Sequence, residues 1–212
     1  MNIISRRRLL AASAAGGLLT AATYANAQSN PQIHSDRPPL ESASESTYEM
    51  AEASVSSHTI AVEHIRISSV RPFAEVRRKL EAAVPKLDAS ISEVLRSGDQ
   101  RAAQEYEEKG PKLSIFLERD HGALLQIAGG KRNAIQYEIG NPLTASKMTR
   151  YQLPAALYAP LRVVLFEDEN GRGIFEYDKP SSFFGQYGDE RVTEVGRYLD
   201  NALQAILRDA AG

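Results

Sequence analysis

Leu161-Arg162-Val163-Val164-Leu165-Phe166-Glu167, Asp168-Glu169-Asn170-Gly171 and Gly173-Ile174-Phe175-Glu176-Tyr177-Asp178 read as a strand, a tight turn and a second strand. Asn170-Gly171 supplies the turn residues, because asparagine and glycine tolerate the positive φ that a short hairpin demands. The first strand is apolar on nearly both faces, which predicts a central strand covered on both sides. Few helices are available to cover two faces. Either a helical insertion upstream covers the second face or another subunit does, and a symmetric homodimer would meet the need.

Working outward, Leu113 to Glu118 and Ala134 to Ile139 are further strands. Between them Asp120 is placed to cap a short helix from His121 to Ala128, which Gly129-Gly130 would end in a left-handed conformation. A hairpin is the rival reading of that piece. Asn141-Pro142 provides an N-cap and a first-turn proline for a helix from Leu143 to Arg150. Upstream, Thr59 to Ile67 is rich in β-branched residues and reads as a strand. A helix follows, with Ser69 as its cap, Pro72 in its first turn, and Phe73, Val76, Leu80 and Ala83 or Val84 as its apolar stripe until Pro85. Asp88 to Lys109 holds two charged helical pieces split at Ser97-Gly98. Downstream, Val192, Val195, Leu199, Leu203 and Ile206 mark a final helix from about Asp189 to Asp209. The expected fold is therefore α/β of the α+β kind. It is a two-layer domain in which helices pack a roughly five-stranded sheet, in the order β-α-(helical insertion)-β-α-β-α-β-β-α.

The N-terminal residues are of another kind. Ser5-Arg6-Arg7-Arg8-Leu9-Leu10, an apolar run to Tyr24, and Ala25-Asn26-Ala27 read as an export signal cleaved after Ala27. The apolar run is too short to span a bilayer. The arginine pair resembles twin-arginine signals, with an ordinary Sec signal as the alternative, and either predicts a periplasmic protein. Gln28 to Ser57, rich in Pro, Ser and acidic residues, reads as a disordered tether, and His34 within it as a solvated residue. Residues 58–212 then form a single domain.

Charge and composition exclude several functions. The chain has 25 Lys+Arg against 27 Asp+Glu, and removing Arg6, Arg7 and Arg8 leaves 22 against 27, a net −5. The tether residues Asp36, Glu41, Glu45, Glu49 and Glu52 against Arg37 hold −4 of that, so the domain itself is close to neutral. Nucleic acid is not an expected partner, since no basic stripe offsets a phosphate backbone. The chain has no cysteine, which removes disulfides and thiol chemistry. No dinucleotide fingerprint, phosphate loop or nucleophile elbow is present, and no cofactor is identifiable.

The run Tyr137-Glu138-Ile139-Gly140-Asn141-Pro142-Leu143-Thr144-Ala145, then Met148-Thr149, Leu157-Tyr158-Ala159-Pro160-Leu161-Arg162-Val163 and Phe175-Glu176-Tyr177-Asp178-Lys179-Pro180-Ser181-Ser182 resembles the domain of unknown function 302 (DUF302) family. The resemblance is specific from Leu113 to Leu203 and looser from His58 to Lys109. It implies a two-layer α/β domain. Many members carry a cysteine just before the Asn-Pro and another after the proline that precedes the next strand; here Gly140 and Leu161 stand in those places. The family name carries no activity, so the resemblance implies fold and not function.

Candidate binding residues are Asn141, Tyr158, Arg162 and Asp178. Asn141 opens a helix whose free N–H groups could receive an anion, and Arg162 would supply charge. The alternative is structural: Asn141 is a cap, and Arg162 pairs with Asp178 across the hairpin. Candidate catalytic residues are His121 and Asp120, where the carboxylate would orient the imidazole for acid–base work. The alternative is a solvated residue at a helix start. His58 and His64 share a strand face, but Glu63 points to the other face and no third ligand completes a metal site. Tyr137, Tyr151, Tyr158, Tyr177 and Phe175 are candidates for a pocket lining or for core.

Three function classes follow: a domain that binds or senses a small molecule, an enzyme using His121 and Asp120, and a non-catalytic structural dimer. Arg162 beside Asn141 would mark binding, His121 beside Arg162 an enzyme, and a closed interior around Tyr158 a structural role.

Overall fold

The computed structural model describes residues 53–212. The leader, with its cleavage position, and most of the tether, including His34, lie outside the described residues. Five strands form one antiparallel sheet: β1 (His64–Pro72), β2 (Ser114–Asp120), β3 (Ala134–Gly140), β4 (Leu161–Glu167) and β5 (Arg172–Asp178), in the order β1-β5-β4-β3-β2. The helices are α1 (Phe73–Ala83), α2 (Ala89–Arg96), α3 (Gln100–Lys109), α4 (His121–Leu125), α5 (Pro142–Thr149), α6 (Pro180–Phe184) and α7 (Glu190–Ala211). The domain is the mixed α/β, two-layer arrangement that the periodicities predict. Only α6 is additional to the expected order.

Local chemistry sets most boundaries. Asp88, Asp99, Asp120, Asn141 and Asp189 each cap a helix by accepting backbone N–H groups of its first turn. Gly129, at φ 76°, stops the α4 segment after a 3₁₀ turn, and Gly171, at φ 75°, closes the β4–β5 hairpin. The helix reading of residues 121–128 therefore holds over the hairpin.

The start of the domain differs from expectation. β1 runs from His64 to Pro72 and not from Thr59 to Ile67, because β5 dictates its extent through the register His64↔Asp178 to Ser68↔Ile174. Ser69 is no cap. It is buried, donates its hydroxyl to the Ala211 carbonyl at 2.5 Å and accepts from Arg71 N–H, tying β1 to the end of α7. Pro72 takes the N-cap place of α1 without a side-chain bond.

The core lies between one face of the sheet and the helices α1 and α7. Val76 and Leu80 of α1, Leu199, Leu203 and Leu207 of α7, and Tyr137, Val163, Leu165 and Phe175 of the sheet are buried there. Gly173 on β5 admits Val76, since a Cβ at Gly173 would lie 2.8 Å from Val76 Cγ2.

β4 is the central strand, as expected, and within a single chain it is covered on one side. Leu161, Val163 and Leu165 are buried, but Val164 and Phe166 on the second face are half-buried and Arg162 is exposed. That face carries polar cross-strand pairs. Arg66 bonds Glu176 at 2.5 Å and lies 5.6 Å from the Phe166 ring centre, and Arg119 bonds Glu138 at 2.6 Å. The helical insertion does not cover it, because no residue of α2 or α3 is buried. Long charged side chains lying along half-buried aliphatic residues explain how an apolar sequence remains on an open face.

Candidate functional site

The β3–α5 junction is where the polypeptide leaves open space. Asn141 adopts an extended conformation, and its Oδ1 accepts from Leu143 N–H at 2.9 Å and Thr144 N–H at 3.2 Å. Its Nδ2 donates to the Pro111 carbonyl at 3.1 Å, which fixes the loop before β2 against the start of α5. With its amide used in this way Asn141 acts as a cap, and the neighbouring space belongs to other side chains.

Two cavities meet at this junction. The first, of about 80 Å³, is apolar and lies between α5 and the start of β4, lined by Phe116, Gly140, Met148, Pro160, Leu161 and Phe184 among others. The second is an open polar basin of about 430 Å³ between the Gly110-Pro111-Lys112 loop, α5 and the first turns of α7. Lys112, Lys147 and Arg191 face it with Glu107, Glu194 and Tyr198. Lys147 is engaged by Glu107, and Arg191 by Asp189 at 2.7 Å while its guanidinium stacks 3.8 Å from the Tyr151 ring centre. Asn141 and Thr144 line both cavities.

The remaining expected residues fall elsewhere. Tyr158, Arg162 and Asp178 do come together with Leu161 around a third cavity of about 60 Å³, and Leu161 also lines the apolar one. Arg162 nevertheless shares no cavity with Asn141, so the expected anion site of those two does not form. Nor does the Arg162–Asp178 ion pair. Asp178 Oδ1 lies 2.9 Å from His64 Nδ1, and His64 Nε2 lies 3.5 Å from Glu176, which raises the imidazole pKa chiefly through the Asp178 hydrogen bond. Tyr158 stacks on Phe183 with ring centres 4.9 Å apart. The cavity beside it is lined by neither His121 nor Asn141.

The His121–Asp120 pairing is corrected. Asp120 Oδ1 accepts from Ala123 N–H at 2.8 Å as the cap of α4, and His121 is exposed. No hydrogen bond joins Asp120 to His121 among the described residues, so the acid–base pair is not formed here. Among the described residues no cluster of three His, Cys, Asp or Glu side chains is arranged to hold a metal. Tyr137, Phe175 and Tyr177 are core, and Tyr151 is exposed. The Tyr137 hydroxyl donates to Glu81 at 3.0 Å, where Arg77 also bonds Glu81 at 2.7 Å, and burial pushes the phenol pKa well above its usual value.

The family model for "Domain of unknown function DUF302" matches residues 100–208, a little over half of the chain. The chain belongs to the DUF302 family. Among solved structures it is similar to an uncharacterized conserved DUF302 protein from Bacillus stearothermophilus, at 18% identity over 70% of this chain and 98% of that chain, with a TM-score of 0.51. That identity carries the fold alone. No curated protein matches the chain.

Within this DUF302 domain the two positions at which the resemblance places cysteines in other members lie close together. Leu161 pairs with Ile139, the neighbour of Gly140, and both Gly140 and Leu161 line the apolar cavity. A Cβ at Gly140 would stand 3.3 Å from Pro160 Cβ and 3.5 Å from Phe116. In this chain that corner of the cavity is hydrocarbon. Sequence reasoning missed Lys112, Lys147, Arg191 and Tyr198, since no spacing in the chain announces that the start of α7 faces the start of α5.

Proposed function

We propose that this DUF302 domain is an exported, non-catalytic module that binds a small amphiphilic molecule at the start of α5. The observation that carries the reading is the sharing of Asn141 and Thr144 by an apolar cavity and a polar basin. A ligand seated there would place a short hydrocarbon part against Met148, Leu161 and Phe184. Its polar end would enter the basin near Lys112, since Lys147 and Arg191 are engaged by Glu107 and Asp189, and that lysine favours an anionic head such as a carboxylate. The small apolar volume limits that part to a few carbon atoms.

Titration of the full chain with hexanoate, followed by calorimetry or by NMR shifts of the Thr144 and Ala145 amides, tests the reading. Ala145→Phe, which fills the apolar cavity, is expected to abolish binding. Lys112→Glu is expected to weaken hexanoate but leave hexan-1-ol unaffected. Hexanoate that fails to bind, or binds both variants as it binds the parent, would refute the proposal.

The leader supports the exported location by its arrangement of Arg6-Arg7, apolar run and Ala25-Asn26-Ala27. Replacing Arg6 and Arg7 by lysine keeps the charge, so loss of periplasmic delivery is the expected twin-arginine outcome and unchanged delivery indicates the Sec route.

A further inference from the structure

We propose that the α4 tip, residues 121–132, docks on an anionic lipid surface. Among large aliphatic side chains in the described domain, Leu124, Leu125 and Ile127 stand 59%, 39% and 87% exposed within four positions. Single exposed aliphatic residues are ordinary, but three in so short a stretch make a patch that water does not favour.

The tip is held outward by its base. Gly122 is buried against the strand that follows, where a Cβ would lie 2.5 Å from the Arg132 carbonyl oxygen, so this side of α4 is closed by backbone. Leu124 and Ile127 are left on the exposed side. The segment His121 to Arg132 contains no acidic residue, whereas His121, Lys131 and Arg132 are all exposed. Two carboxylates, Asp120 and Glu167, share a cavity with Lys131 and Arg132 at the foot of the tip, and each is engaged by backbone or amide donors. Asp120 caps Ala123 N–H at 2.8 Å, and Glu167 accepts from Asn133 N–H at 2.8 Å and from Asn133 Nδ2 at 2.7 Å, which lowers its pKa. Arg132 donates to the Glu167 carbonyl at 2.5 Å and its side chain is exposed, as is that of Lys131.

An aliphatic tip with cations at its foot matches a bilayer surface. Aliphatic side chains enter the acyl boundary while the cations stay at the level of anionic headgroups. No described helix is long and apolar enough to cross a membrane, so the contact is peripheral. This contact does not depend on the ligand site at α5.

The test uses the full chain and vesicles of phosphatidylcholine containing about a third phosphatidylglycerol. Because the chain has no tryptophan, Ile127→Trp reports insertion at the tip regardless of what the N-terminal residues do. Its emission is expected to shift to the blue on these vesicles and much less on pure phosphatidylcholine. Leu153→Trp, also exposed but on another element, is expected to stay unshifted. The sedimented fraction should fall about ten-fold for Leu124→Asp/Ile127→Asp and roughly five-fold for Lys131→Glu, with melting temperatures unchanged. An unshifted Ile127→Trp, or sedimentation indifferent to the Asp pair, overturns the proposal. So does concentration-dependent self-association that the Asp pair abolishes in protein that ignores vesicles, since the tip would then meet a second copy.

Discussion

His64 on the edge strand and Asp178 on its neighbour are joined at 2.9 Å, and that contact takes the carboxylate which the hairpin geometry alone would assign to Arg162. Both pairings connect residues at matching ends of adjacent strands. What separates them is that β5 has two neighbours, and its end residue Asp178 is in register with His64 of β1, while the pairing with β4 begins at Tyr177.

A double-mutant cycle distinguishes the pairings. Arg162→Met and Asp178→Asn should add without coupling, within about 0.3 kcal/mol. His64→Gln and Asp178→Asn should couple, by less than about 1 kcal/mol because both side chains are more than half exposed. Chemical denaturation of the three single and two double variants checks this. Coupling confined to the Arg162 pair would reverse the assignment.

The same contact sets a pH dependence. The His64 pKa is raised in the folded protein, mainly by the Asp178 hydrogen bond, with Glu176 adding to it. A raised pKa means that the folded state holds the proton more tightly than the unfolded one. The contribution is complete below the unfolded value of about 6.5 and is lost as pH rises through the folded pKa. Stability should therefore decline slightly from about pH 6 to pH 8, by less than about 1 kcal/mol. His64→Gln should flatten that part of the profile. A decline that persists in the variant would assign it to another group.

Tyr137 is buried and its hydroxyl reaches only Glu81, which Arg77 also holds. Tyr137→Phe should cost about 0.5–1.5 kcal/mol, since Glu81 keeps the guanidinium. Glu81→Leu should cost more, roughly 2–3 kcal/mol, because it strands a buried hydroxyl. Thermal or urea unfolding reads the order of the two, and the reverse order would show that Glu81 and not Tyr137 is the dispensable partner.

Gly196 lies in the middle of α7, where helix propensity favours alanine by about 1 kcal/mol. A Cβ there would stand 2.9 Å from Ser181 Cα, on α6. Overpacking against backbone should win, and Gly196→Ala should destabilise by roughly 1–3 kcal/mol. Gly185→Ala, whose Cβ meets nothing nearer than 4.0 Å, is the control and should stay within about 0.5 kcal/mol. A stabilised Gly196→Ala would mean that α6 yields to α7.

The elements themselves were legible because their causes are local. Asp120 and Gly129 bound α4, Asn141-Pro142 opens α5, and Asn170-Gly171 closes the hairpin, each through backbone dihedral preferences and capping that act within a few residues. Alternation matches burial along β3, whereas β4 reads as apolar on nearly both faces and β5 buries Ile174 beside Phe175. The chain by itself therefore determined the order of elements apart from α6, and the family. Tertiary structure decided what depends on non-local neighbours. Register with β5 moved β1 to His64–Pro72 and turned Ser69 from a cap into a tie to Ala211. Packing of α7 beside α5 brought Arg191 and Tyr198 to the basin below Asn141. The competing demands on Asp120 and Asp178 were settled by which donor stood nearest in space: a backbone N–H for the first and an imidazole for the second. A carboxylate's residue type fixes that it will find a donor, but only the folded arrangement of strands and helices fixes which one.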